Sequence, residues 1–161
     1  VAIVNSDYLR HLYHENLAYS PIVGQLYVWT SGFALFAFLI TLARELVKDI
    51  EDIEGDREME CRTAAIVWGT KNTKIIVSLI LVITIALISC IFFCVLPFPH
   101  SWNTLATRYM LFGLNVPIVC AIVLLWAAKT PIEYHRAQVI IKFAMFMGVM
   151  YSFVIYQNLL G

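Results

Sequence analysis

Acidic side chains recur at a regular spacing in the most strongly charged part of the chain. Glu45, Asp49, Asp52 and Asp56 are separated by four, three and four residues. Because an α-helix turns about 100° per residue, this spacing places the four carboxylates in one stripe along a helix. Like charges so close together destabilise a helix, so the pattern predicts a compensating cation. Mg²⁺ is the expected ion, because it prefers carboxylate oxygens and often bridges to a phosphate.

The same charges also have a simpler interpretation. A charged run beside an apolar segment is usually a solvated surface, and Lys48 and Asp52 have the i, i+4 spacing of an ion pair. The spacing alone leaves both interpretations open. If a cation does bind, Gly55 is expected to let the backbone turn, so that Asp56 approaches the ion from a loop.

The helix that carries these carboxylates belongs to an unusually apolar chain. Of its 161 residues, 61% are hydrophobic and 14% are charged, and the mean hydropathy is +0.79. A soluble domain is about 45–50% apolar and about 25% charged, so the composition indicates a membrane protein. The net charge of zero argues against a nucleic-acid-binding protein, which would need a basic surface.

Four stretches without charged residues are long enough, or nearly so, to cross a bilayer as helices, which takes about 20 residues. They lack the alternation of a membrane β-strand, so the predicted fold is an all-α, multi-pass transmembrane helical bundle. The stretches run from Asn16 to Ala43, from Ile75 to Pro99, from Tyr109 to Ala128, and from Phe143 to Gly161, the last extended by Ala137–Ile141.

Lysine and arginine are distributed unevenly between the loops. Segment 44–74 contains most of the charged residues of the chain, and the loop before the last span adds Lys129 and Arg136. Segment 97–107 contains neither lysine nor arginine. The positive-inside rule therefore predicts that the aspartate-bearing loop is cytoplasmic.

The run from Arg44 to Arg57 resembles the second aspartate-rich motif of the UbiA superfamily of membrane prenyltransferases. That motif has an Asp-x-x-Asp-x-x-x-Asp core, which Asp49, Asp52 and Asp56 match. A later threonine and glycine of the motif correspond to Thr63 and Gly69, although Ala64 and Ala65 stand where Leu-Pro is commoner.

The resemblance implies a bundle of about nine helices with two cytoplasm-facing aspartate motifs across a central cavity. It implies an enzyme that ionises a polyprenyl diphosphate with the help of Mg²⁺ and transfers the polyprenyl group to a lipophilic acceptor. The metal-binding and catalytic residues would be Asp49, Asp52 and Asp56, and the diphosphate contacts would be Lys48, Arg57 and Arg62.

The chain departs from the family pattern in two respects. The first motif of the family, Asn-x-x-x-Asp-x-x-x-Asp, is absent, and about four spans fall short of nine. Residues 1–161 are therefore expected to be the C-terminal part of a single prenyltransferase domain. The missing N-terminal half is either truncated or supplied by another chain, and these residues alone are expected to be inactive.

Several functional alternatives remain open. The motif is similar to that of geranylgeranylglycerol-phosphate geranylgeranyltransferases, but quinone-precursor and haem prenyltransferases share its aspartates. The signature of a CDP-alcohol phosphotransferase is absent. A non-enzymatic membrane cation-binding or transport protein would need carboxylates within the spans, and the four charge-free stretches contain none.

Other polar residues of the spans have structural interpretations. Asn115 and Gln138 are expected to form hydrogen bonds between helices. Lys142 is expected either to extend to the membrane surface or to line the cavity. The intramembrane cysteines, Cys90, Cys94 and Cys120, are expected to be small buried hydrophobic residues that form no disulfide.

Overall fold

A computed structural model describes residues 21–95 and 105–160 of the chain. The chain divides into two compact units, Val1–Leu35 and Phe36–Gly161. The described part of the first unit is the beginning of a long helix, and the second unit contains the end of that helix and all the later elements. These elements are α1 (Pro21–Glu51), α2 (Ile53–Glu58), α3 (Ala64–Trp68), α4 (Thr70–Cys90), the π-helix π1 (Ile91–Val95), α5 (Leu105–Arg108), the π-helix π2 (Tyr109–Asn115), α6 (Val116–Ala127) and α7 (Pro131–Leu160).

Four helical segments within the described residues are long and apolar enough to cross a membrane, which confirms the predicted fold class. Their ends differ from those of the charge-free stretches. The first segment extends to Glu51 rather than ending at Ala43, and α7 begins at Pro131, before the Ala137–Ile141 extension of the last stretch. Absence of charge marks the part of a helix that lies in lipid, whereas the helix itself continues into the charged region beyond it. The four segments are Thr30–Glu51, Thr70–Phe93, Leu105–Ala127 and Pro131–Val154.

The core of the second unit is formed by one face of each long helix. Its side chains recur every three or four residues, which is the period of a helix face. Alanines on α6 and α7 allow close approach of the backbones, as small residues do in membrane bundles. The core residues include Ile40, Ala43, Val47 and Ile50 of α1, Val77 and Leu81 of α4, Ile118, Ala121 and Leu125 of α6, and Ala137, Ile141 and Ala144 of α7.

Lys74, near the start of α4, joins three elements at one end of the second unit. Its Nζ donates a hydrogen bond of 2.7 Å to the carbonyl oxygen of Ala128, just after α6. The same Nζ lies 4.8 Å from the centre of the Tyr134 ring on α7. The charge-bearing segment before α4 and the loop between α6 and α7 therefore lie at the same end of the unit. Two loops that face the same side of a membrane must lie at one end of the bundle, as these two loops do.

Polar contacts also join the spans along their length. Asn115 Nδ2 donates a hydrogen bond of 3.5 Å to Ser89 Oγ on α4, which confirms that Asn115 is an interhelical partner. Asn115 ends the π-helix that Tyr109 begins, and the Tyr109 hydroxyl donates to the carbonyl oxygen of Met147 over 3.1 Å. These contacts connect the third span to the second and fourth spans.

The cysteines and Lys142 are the side chains for which the sequence predicted burial or a position near the membrane surface. Cys61, Cys90 and Cys120 are free thiols, and the prediction that Cys90 and Cys120 are buried is wrong because both are exposed. Both residues lie on outward faces, where sequence hydrophobicity cannot distinguish lipid contact from core packing. The structure does not describe the side chain of Cys94. Lys142 is exposed on α7 beside the exposed Phe143.

Candidate functional site

The predicted carboxylate stripe spans the junction between α1 and α2. Asp52 is the single residue between the two helices, and its backbone has φ −91° and ψ 8°. The amide of Asp52 donates to the carbonyl of Lys48 over 2.9 Å, and the amide of Asp56 donates to the carbonyl of Asp52 over 2.9 Å. Because these i to i−4 hydrogen bonds cross the junction, the aspartates keep a nearly helical spacing.

The backbone reverses after the motif, at Glu60 and not at Gly55. Gly55 lies inside α2 and has no positive φ, so the prediction of a turn at Gly55 is wrong. Glu60 has a φ of 56°, in the left-handed region. Its amide donates to the carbonyl of Arg57, and the amide of Cys61 donates to the carbonyl of Asp56. This is the Schellman pattern of helix termination, and it places Asp56 in the last turn of α2.

Asp49 connects the stripe to the short helix α3. Its Oδ2 accepts a hydrogen bond of 3.3 Å from the backbone amide of Ala64, the first residue of α3. The Asp49 side chain is half-buried, and it is repelled by Asp56 and Glu45 and attracted by Lys48. Asp56 and Glu45 therefore lie close enough to Asp49 for their charges to act on its carboxylate.

The described residues do not by themselves form a three-residue metal site. In the segments that the structure describes, no group of three or more histidine, cysteine, aspartate or glutamate side chains converges on one possible metal position. Asp49 and Asp56 interact electrostatically, while Asp52 is exposed at the junction. The donor set nevertheless suits Mg²⁺, which is commonly bound by one or two carboxylates together with water and substrate phosphates.

The basic residues of the predicted site occupy exposed positions close to the aspartates in sequence. Lys48 lies on the last turn of α1, Arg57 on α2, and Arg62 in the segment between α2 and α3. All three side chains are exposed. Arg44 is instead paired with the neighbouring Glu45, so the first carboxylate of the stripe already has a cationic partner.

The structure adds a glutamate that the sequence analysis did not identify. Glu51 Oε1 lies 2.9 Å from His135 Nδ1, and Glu51 Oε2 accepts a hydrogen bond of 3.2 Å from Gln138 Nε2. Gln138 therefore does form an interhelical hydrogen bond, as predicted, and its partner is next to the aspartate motif. His135 and Gln138 are three residues apart on one face of α7, and this spacing is the only trace of the contact in the sequence. Glu51 lies 84 residues before His135 and 87 residues before Gln138, so the sequence does not identify it as their partner.

Comparison with known proteins finds related chains that share one name. The chain is 31% identical over 128 residues to the digeranylgeranylglyceryl phosphate synthase of Methanosphaera stadtmanae, covering 76% of this chain and 42% of the relative. The synthase of the same name from Thermococcus onnurineus is 29% identical over 135 residues, covering 81% and 46%. That of Methanopyrus kandleri is 25% identical over 169 residues, covering 93% and 59%. No solved structure matches the chain.

The chain thus spans about half the length of the curated relatives it matches. The model of the UbiA prenyltransferase family matches residues 16–150, which include the aspartate motif and all or most of each of the four membrane-spanning segments. This match covers most of the chain, and four of the described helical segments are long and apolar enough to cross a membrane, as the sequence predicted. The chain belongs to the UbiA prenyltransferase family.

Proposed function

We propose that this chain is the C-terminal part of an intramembrane prenyltransferase that moves a polyprenyl group from its diphosphate to a lipophilic acceptor. The observation that carries the proposal is the stripe of Asp49, Asp52 and Asp56 at the end of a membrane-crossing helix in a member of this family. Carboxylates at that position suit a charged headgroup at the membrane surface, with the apolar tail of the same substrate in the bundle.

The proposed roles follow from the charge of the leaving group. Asp49, Asp52 and Asp56 would hold Mg²⁺, which when bound neutralises negative charge on a diphosphate. The exposed Lys48, Arg57 and Arg62 would contact the diphosphate oxygens directly and stabilise the charge that develops as the bond to the prenyl carbon breaks. The apolar helix faces would exclude water from the allylic cation, which water would otherwise quench.

We further propose that the acceptor is geranylgeranylglyceryl phosphate. The support is the name shared by three relatives, which are all called digeranylgeranylglyceryl phosphate synthases. They come from Methanosphaera stadtmanae, Thermococcus onnurineus and Methanopyrus kandleri. The aspartate-bearing end would face the cytoplasm because lysine and arginine are concentrated there. An N-terminal half with the first aspartate motif would supply carboxylates from the opposite side of the diphosphate.

The test is prenyl transfer by the complete enzyme in lipid vesicles. Radiolabelled geranylgeranyl diphosphate is supplied with Mg²⁺ and, in separate reactions, geranylgeranylglyceryl phosphate, a quinone precursor or haem. Product with the glyceryl phosphate lipid alone supports the proposal. Product with one of the other acceptors assigns a different branch of the family. Absence of product with every acceptor, together with Mg²⁺ uptake into the vesicles, would indicate a transport protein.

A further inference from the structure

The junction at Asp52 raises the question of what fixes the direction of the carboxylate stripe. α1 ends at Glu51, and the non-helical backbone of Asp52 separates it from α2. Rotation of the last turn of α1 about its axis would turn Asp49 away from any ion shared with Asp56. The contact between Asp49 and Ala64 opposes such a rotation from one side of the helix only.

Glu51 provides a second attachment from the other side. Two residues along an α-helix correspond to about 200°, so Glu51 faces almost opposite to Asp49 and is badly placed to share an ion with it. Its two carboxylate oxygens contact two different side chains of α7, His135 at 2.9 Å and Gln138 at 3.2 Å. A carboxylate whose two oxygens have separate partners has a defined orientation.

The contact with Gln138 is the buried part of this attachment. The Glu51 side chain is 20% exposed and Gln138 is 5% exposed, while the side chain of the other partner, His135, is 49% exposed. The control position, Glu58 on α2, is exposed. Because the buried Gln138 amide would lose its acceptor, removal of the Glu51 carboxylate leaves a polar group unsatisfied inside the bundle. The attachment also joins two segments that are distant in sequence, the end of the first span and the start of the fourth.

We infer that Glu51 is a positioning residue of the aspartate site, which acts through His135 and Gln138 to set the rotation of the last turn of α1. This inference rests on the proposed function, because it presumes that Asp49, Asp52 and Asp56 bind a cation. Glu51 itself does not contact the cation. Loss of a partner that hydrogen-bonds a metal ligand typically changes metal affinity or activity by about 10- to 100-fold, and we take this range for Glu51, which acts on the aspartates through the backbone of α1.

The experiment compares four variants of the complete enzyme in lipid: E51A, E51Q, the exchanged pair E51H/H135E, and E58A as the matched control. The first measurement is hydrogen exchange of the backbone amides of residues 46–56, which needs no activity. We expect faster exchange in E51A than in E58A. Equal exchange in the two variants would overturn the inference. If the wild-type enzyme transfers no prenyl group, the proposed function is wrong. The hydrogen-exchange rates of E51A and E58A still test whether Glu51 fixes the last turn of α1.

The second measurement is the Mg²⁺ dependence of prenyl transfer. We expect E51A to raise the KM for Mg²⁺ by about 10- to 100-fold. E51Q retains an acceptor for Gln138 and should keep most of the wild-type behaviour, and E51H/H135E should recover part of it. A role confined to fold stability would reduce the amount of active enzyme without changing this KM. An E51Q variant as defective as E51A, with no recovery in the exchanged pair, would show instead that the Glu51 charge acts directly.

Discussion

The backbone amide of Ala64 donates a hydrogen bond of 3.3 Å to Oδ2 of Asp49, fifteen residues earlier in the chain. This bond joins the end of the first membrane span to the start of α3 and closes the segment that carries Arg62. The bond uses Oδ2, and the second carboxylate oxygen is the one that we assign to the proposed cation. Asp49 therefore has a structural partner that distinguishes it from Asp52, which is exposed at the helix junction.

Asp52 and Asp56 provide the most direct test of the proposed metal site. We expect Asp52→Asn or Asp56→Asn in the complete enzyme to reduce prenyl transfer by about 100-fold or more, because the loss of about 2.7 kcal/mol of transition-state stabilisation has that effect. Circular dichroism and gel filtration in detergent should be unchanged. Glu58→Gln, on the same short helix, serves as the control. Near-wild-type turnover of either aspartate variant at saturating Mg²⁺ would contradict the assignment.

The membrane orientation can be tested by labelling with a membrane-impermeant thiol reagent. A cysteine introduced at Glu58, in a variant without the native cysteines, should react from the cytoplasmic side only. A cysteine introduced at Ser101, in the segment between the second and third spans, should react from the opposite side only. The physical reason is the concentration of lysine and arginine in segment 44–74. The reverse labelling pattern would show that the orientation is wrong.

Glu60 occupies a backbone conformation that favours glycine. Its φ of 56° costs a residue with a side chain about 1 kcal/mol, so Glu60→Gly should stabilise the turn after α2 by roughly that amount. The matched control is Glu58→Gly at the last residue of α2, where φ is not positive, so this change should destabilise the helix by up to roughly 0.5–1 kcal/mol. Urea unfolding in mild detergent measures both. A loss of stability in the Glu60 variant would contradict the prediction.

Two glycines should respond in opposite ways to alanine. A Cβ at Gly148 would lie 2.2 Å from Cε1 of Phe36, so Gly148→Ala requires the ring to move and should cost about 1–3 kcal/mol. A Cβ at Gly55 would meet nothing within 4 Å, and Gly55→Ala should stabilise α2 by about 0.5–1 kcal/mol. Thermal unfolding in detergent compares them. Phe36→Leu should partly rescue the Gly148 variant, and equal losses at the two glycines would contradict this account.

The 161 residues alone should not catalyse transfer. Their carboxylates lie on one side of the proposed diphosphate site, and Mg²⁺ held by one motif would retain most of its waters and bind the donor weakly. Co-expression with an N-terminal half that carries the first aspartate motif should restore activity, because membrane helices can associate after separate insertion. The assay is radiolabelled geranylgeranyl diphosphate with the acceptor panel. Robust transfer by these residues alone would contradict the expectation.

The fold class was predictable because composition determines whether a helix can lie in lipid. Charge-free stretches located four spans, and the polar side chains of Asn115 and Gln138 indicated contacts between helices, which the structure contains. The ends of the helices were less predictable. Helical hydrogen bonding continues through charged residues, so Glu51 lies at the end of α1, eight residues beyond the last residue of the charge-free stretch.

The candidate site was predictable only where it is local in sequence. The spacing of Asp49, Asp52 and Asp56 identified the stripe, and the charges near Asp49 interact as expected. The contact of Glu51 with α7 was not predictable, because it depends on how distant helices pack. The turn was assigned to Gly55 from residue type alone, whereas a Schellman hydrogen-bond pattern places it at Glu60.

The π-helix from Tyr109 to Asn115 has a consequence for how the third span can vary in length. A π-helical turn contains more residues than the α-helical turn it replaces, and it absorbs an added residue without rotating the helix on either side. Thr107 before it and Ile118 after it both keep buried positions. Relatives that lack one residue here would retain both packed faces, so this turn is where an insertion or deletion within a membrane span should be tolerated.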